Sequence, residues 1–97
     1  MNNTTISDDL LEFLKAVASE NRLKMFLLFA DGQERTVNEV TALMNLGQST
    51  VSEQLKLMRR AGLLRARKEG KEVYYSPDRA AVIAKLERLT QTLKTCC

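Results

Sequence analysis

No histidine or tryptophan occurs among the 97 residues, proline occurs once, and the two cysteines stand side by side at Cys96 and Cys97. Each scarcity excludes something. Without imidazole there is no Ser-His-Asp or Cys-His catalytic system and no histidine metal ligand. Two adjacent cysteines do not make the framework of a disulfide-stapled secreted domain. No apolar run approaches the roughly 20 residues that span a bilayer. Met1-Asn2-Asn3-Thr4-Thr5 lacks the basic and apolar regions of a signal peptide. A Gly-rich phosphate loop and a carboxylate cluster are also missing, and the dithiol is not Cys-x-x-Cys, so no enzyme is expected. What remains is a cytoplasmic, mildly basic single domain over residues 1–97, with net charge +3 and no membrane partner. So short a chain buries a small core, which favours association with a second copy.

The caps divide the chain. Ser7 before Asp8 and Asp9 reads as the N-cap of a first helix carrying Leu10, Leu11, Leu14, Val17 and Ala18. Ser19 caps a second helix with Leu23, Phe26, Leu27 and Ala30 on its inward side, closed by Asp31-Gly32. Thr36-Val37-Asn38-Glu39 fits a capping box and opens a short third helix with Val40, Leu43 and Met44 inward. Asn45-Leu46-Gly47 connects it to a fourth helix from about Gln48 to Ala61 with the stripe Val51, Leu55, Met58. Gly62 ends that helix, and Leu63 is placed for a Schellman-type contact. The period then changes to two. Leu64-Arg65-Ala66-Arg67 and Val73-Tyr74-Tyr75 read as strands with Glu69-Gly70 as the turn. Ser76 and Pro77 then fit the N-cap and first position of a last helix bearing Val82, Leu86, Leu89 and Leu93.

The third and fourth helices have the spacing of a helix-turn-helix, whose second helix buries one stripe and offers the other face to the major groove. Here that face holds Ser49, Ser52, Glu53, Lys56 and Arg60, with Gln48, Thr50 and Gln54 beside it. Short polar side chains reach base edges and cations reach phosphates. An ordinary solvated helix face has the same composition, so the charge map matters. Residues 1–20 sum to −3, residues 21–58 to zero, residues 59–72 to +4 and residues 73–97 to +2. Cations therefore gather at the end of the fourth helix and on the hairpin, at Arg65, Arg67, Lys68 and Lys71. A basic hairpin after a helix-turn-helix is the layout of a winged helix resting on DNA. A charged edge that protects a small sheet is the plainer alternative. The expected fold is mainly α with a β-hairpin wing, in the order four helices, two strands, one helix. Double-stranded DNA is the expected partner.

Three stretches resemble the ArsR/SmtB family of bacterial winged-helix repressors: Glu20–Leu28 its second helix, Ser49–Leu63 its recognition helix and Lys68–Tyr75 its wing. The likeness runs from about Leu10 to Leu93. It implies a homodimer on a dyad-symmetric operator, released by an inducer. The leucine stripes point the same way, with Leu10, Leu14 and Val17 meeting Leu86, Leu89 and Leu93 across the dimer. Packing of both stripes within one protomer is the alternative.

The resemblance also implies where an inducer would bind. Thr36 and Asn38 occupy the positions of one metal-site Cys-x-Cys pair, and the last helix offers only Asp78 and Glu87 to another, so neither site is expected. Cys96-Cys97 resembles the vicinal pair of arsenic-responsive members, which fits trivalent arsenic or antimony, since neighbouring soft thiolates chelate thiophilic ions. Those members use a third thiol, which here would come from the other subunit or a small thiol. No resident cofactor is required. Thiol-based sensing of oxidants or reactive sulfur is an alternative, and a terminal cysteine pair with no role is another. So is a winged-helix module that binds protein, because Glu53 on the reading face repels phosphate unless it accepts from a cytosine amino group.

Overall fold

The computed structural model describes residues 6–96. The elements are α1 (Asp8–Val17), α2 (Glu20–Leu27), β1 (Arg35–Thr36), α3 (Val37–Met44), α4 (Gln48–Arg60), β2 (Leu64–Glu69), β3 (Glu72–Pro77) and α5 (Arg79–Cys96). The strands form one antiparallel sheet in the order β1-β3-β2. β1 has no signal in the sequence: its two residues carry no alternating pattern, and only pairing with Tyr74 and Tyr75 defines it.

α4 forms the centre of the core. Val51, Leu55 and Met58 are fully buried, as their spacing predicts. Phe13 of α1, Met25 and Phe29 from the second helical segment, Val40 of α3, and Leu63 and Tyr75 around the sheet surround them. The boundaries follow from local chemistry. Thr36 and Glu39 close the capping box reciprocally, at 2.8 and 3.2 Å. Asn45 ends α3 in the left-handed region, at φ 57°. Gly62 ends α4 at φ 88°, and the Leu63 N–H reaches back to the Met58 carbonyl at 2.9 Å, the Schellman closure.

Several expectations are corrected. The second helical segment buries Met25 and Phe29 and packs Phe26 against the core as expected, whereas Leu23 and Leu27 are 45% and 60% exposed and Ala30 is exposed too. Leu43 of α3 is also exposed. Both segments are apolar on two sides, so spacing alone does not choose the buried side. The hairpin turn is Gly70-Lys71, because the ladder continues to the Glu69–Glu72 pair. Ser76 and Pro77 belong to β3, where Pro77 pairs with Leu64 at the ladder's end. Asp78 caps α5 instead, its carboxylate accepting from the Ala81 N–H at 3.3 Å. Ser7 sits at the start of α1 but makes no cap bond; its hydroxyl accepts from Arg88.

α5 differs from the other helices. At 18 residues it is about 27 Å long, and none of its described residues is buried. Val82 packs against the core cluster, while Leu86 and Leu93 are 47% and 60% exposed. The molecule is correspondingly elongated, 48 × 22 × 21 Å.

Candidate nucleic-acid interface

The α3–α4 pair presents the exposed face that its buried stripe requires. Gln48, Ser49, Thr50, Glu53, Lys56 and Arg60 are exposed, and Ser52 is half-buried beside them. Gln48 donates to Asn38 Oδ1 at 2.8 Å, which ties the start of α4 to α3. Gly47 precedes α4 without a side-chain cap. The first-turn N–H groups of α4 thus have no capping side chain, in the electrostatic setting that favours phosphate.

Gln54 is placed differently. It is half-buried, and its Oε1 accepts from Arg22 Nη1 at 2.9 Å. Arg22 Nε also donates to the Ala16 carbonyl at 2.8 Å and Nη2 to the Lys15 carbonyl at 3.3 Å. One guanidinium thus caps the end of α1 and fixes α4. Gln54, expected beside the exposed face of α4, is instead tied to α2, and Arg22 is the residue that positions it. The sequence offered no sign of this, because the partners lie 6 and 32 positions away.

Strand alternation sorts the wing cations. Ala66 and Tyr75 are directly opposed on the inner face, turned towards α4. Lys68 shares that face by parity, and Lys71 lies in the turn at the tip. Between α4 and the sheet is a cleft of about 370 Å³ lined by Lys56, Arg59, Arg60, Ala66, Val73 and Tyr75. Burial pushes the Tyr75 phenol up, against the opposing charge of Arg59. Arg59 was absent from the expected reading face because it lies near the buried stripe of α4; the sheet edge leaves it room. Arg65 and Arg67 occupy the outer face. Arg67 is engaged there by Glu34 and Glu69, at 2.7 and 3.3 Å.

On the expected dimer face, Leu10 is corrected. It is 3% exposed and belongs to the protomer core. Leu14 and Val17 are half-buried against that core, Leu89 is half-buried, and Leu86 and Leu93 stand exposed on α5. Arg88 joins α5 to α1 through Asp9 at 3.0 Å. Cys96 is exposed at the end of α5; Cys97 lies outside the described residues. Among the described residues, no helix is long and apolar enough to cross a membrane.

A helix-turn-helix followed by a two-stranded wing on a three-stranded sheet defines a winged helix-turn-helix protein. The arsR family of bacterial regulatory proteins matches residues 19–66. The chain is 38% identical over 76 residues to the transcriptional activator HlyU of Vibrio cholerae, covering 78% of this chain and 69% of that protein. It is 36% identical over 78 residues to the arsenical resistance operon repressor of Escherichia coli, covering 78% and 67%. Its fold matches the homodimeric winged helix-turn-helix DNA-binding domain of Mb0332 from Mycobacterium bovis, with TM-score 0.70, 29% identity, and coverage of 87% of this chain and 79% of that one. The chain belongs to the arsR family of bacterial regulatory proteins and is a transcriptional regulator rather than an enzyme.

Proposed function

We propose that the protein is a homodimeric repressor that binds double-stranded operator DNA through the α4 face and the wing. We propose further that trivalent arsenic or antimony at Cys96 and Cys97 releases it. The observation that carries the DNA reading is the cleft where Lys56, Arg59 and Arg60 converge with the inner wing face. Cations around a groove-reading helix supply the counterion-release term that dominates DNA affinity. Residues assigned to DNA are Gln48, Ser49, Thr50, Ser52, Glu53, Lys56, Arg59, Arg60, Lys68 and Lys71, with Arg65 on the outer wing face. Dimerisation is supported by α5, which exposes Leu86 and Leu93 and buries nothing among its described residues. Two recognition helices about 34 Å apart fit successive major grooves.

The sensing part rests on the adjacent thiols and the exposure of Cys96 at the end of that helix. Capture of a thiophilic ion there pulls on α5, which sets the spacing of the two α4 helices. A coupling of about 1–3 kcal/mol is typical between such sites. The test uses a labelled duplex captured from a random-sequence pool by the wild-type protein. Arsenite should release the wild type and leave a Cys96→Ser, Cys97→Ser dimer bound. Release of the double variant, or no release of the wild type, overturns the arsenic assignment. Release by diamide but not arsenite assigns the thiols to redox sensing instead.

A further inference from the structure

Arg67 stands out among the wing cations because its charge is already satisfied. Its Nη2 and Nε donate to the two carboxylate oxygens of Glu34 at 2.7 and 3.0 Å, a bidentate pair with the residue just ahead of β1. Its Nη1 meets Glu69 at 3.3 Å, and its guanidinium lies 4.7 Å from the centre of the Tyr74 ring. Tyr74 is the strand partner of both Arg67 and Thr36. The side chain therefore crosses β3 and fastens β2 to the β1 edge. By contrast, Arg65, Lys68 and Lys71 make no ion pair among the described residues. Arg65 shares the outer face with Arg67, so what sets Arg67 apart is its engagement by Glu34, Glu69 and Tyr74.

We propose that Arg67 is a positioning residue for DNA binding. It braces the wing against Glu34 so that the tip cations meet phosphate, and it makes no phosphate contact itself. This rests on the DNA reading above. Bonds from Arg67 hold the Glu34 carboxyl below the usual carboxylate range, and the same bonds raise Arg67, so the pair stays ionised at any neutral pH. The side chains of Arg67 and Glu34 are 49% and 38% exposed, so the pair adds little to global stability and its loss moves the wing rather than the fold.

The brace makes a prediction of unusual sign. Removing a negative charge from a DNA-binding surface ordinarily tightens binding. Here Glu34→Gln should weaken it. Loss of one tip phosphate contact per protomer corresponds to about fivefold per contact, or about thirtyfold for a dimer, at about 0.15 M salt. Arg67→Gln should weaken binding by a similar factor, and the two changes together should not add. Arg67→Lys, which keeps a cation opposite Glu34 and Glu69, should lose much less than Arg67→Gln. The experiment is anisotropy titration of the duplex captured by the wild type, at several salt concentrations, with melting curves to confirm that each variant is folded. Tighter binding by Glu34→Gln with a steeper salt slope overturns the proposal and makes Arg67 a phosphate contact held in reserve. Unchanged affinity in Glu34→Gln, or a loss in Arg67→Lys as large as in Arg67→Gln, overturns it as well. If the wild type captures no duplex, the DNA reading fails and the brace fails with it. Capture by the wild type with an indifferent Glu34→Gln overturns the brace alone.

Discussion

Replacing Arg22 with Met keeps most of the apolar stem and removes the guanidinium that joins three helices. The Ala16 carbonyl loses its 2.8 Å donor, and Ala16 is only 2% exposed. A buried acceptor left without a partner costs about 1–3 kcal/mol. Gln54 loses its 2.9 Å bond as well, a net term of about 1 kcal/mol. The expected destabilisation is about 2–4 kcal/mol, which for a domain of this size lowers Tm by about 10–25 °C. Far-UV circular dichroism during heating, and in urea, measures it at one fixed protein concentration, because a dimer's Tm depends on concentration. Gln54→Ala should cost about 1 kcal/mol, and the two variants combined should show coupling of about 1 kcal/mol. DNA sequence preference should survive Gln54→Ala, since that side chain faces α2. A fall in Tm of less than about 5 °C for Arg22→Met would show that these bonds do not hold α1 and α4 together. A changed base preference in Gln54→Ala would return Gln54 to the reading face.

Two further outcomes follow from the ends of the molecule. Leu86→Glu with Leu93→Glu places carboxylates on the exposed side of α5, and sedimentation should then report monomers with unchanged helical content; a persistent dimer would move the interface elsewhere. Hydrogen bonds from Arg88, then Ser7, hold the Asp9 carboxyl well below its usual range. A carboxyl whose pKa is lower folded than unfolded stabilises fully above the unfolded value, about 3.9, and loses that stabilisation as pH falls through the folded one. Wild type should therefore melt above Asp9→Asn at pH 7, and the two should converge in acid. A gap that persists unchanged at pH 2 would contradict the assignment.

The parts of this fold legible in the sequence are those where one rule acts alone. Val51, Leu55 and Met58 have polar neighbours on the other helix face, so only one packing is possible. The capping box of Thr36 and Glu39 is local chemistry and needs no tertiary context. Leu23 and Leu27 misled because Met25 and Phe29 offer a second apolar side to the same segment. Pro77 suits a first helical position by its φ, yet ladder pairing with Leu64 and the Asp78 cap shift the helix start by two residues. Within the interface, the basic stretch was visible as a charge sum, but its division was not. Alternation puts Arg67 and Lys68 on opposite faces, and Glu34, 33 positions away, decides what Arg67 does. Such long-range pairs leave no periodic trace.

In the proposed complex the α4 face and the wing form one phosphate-binding surface on a dimer. The slope of log affinity against log salt for duplex DNA, in the wild type and in Lys56→Gln with Arg60→Gln, separates such a surface from an ordinary charged helix face. The slope should be steep for the wild type and shallower by about 3–4 for the variant, four phosphate contacts being lost per dimer. An unchanged slope, or no binding by the wild type at about 50 mM salt, would contradict it.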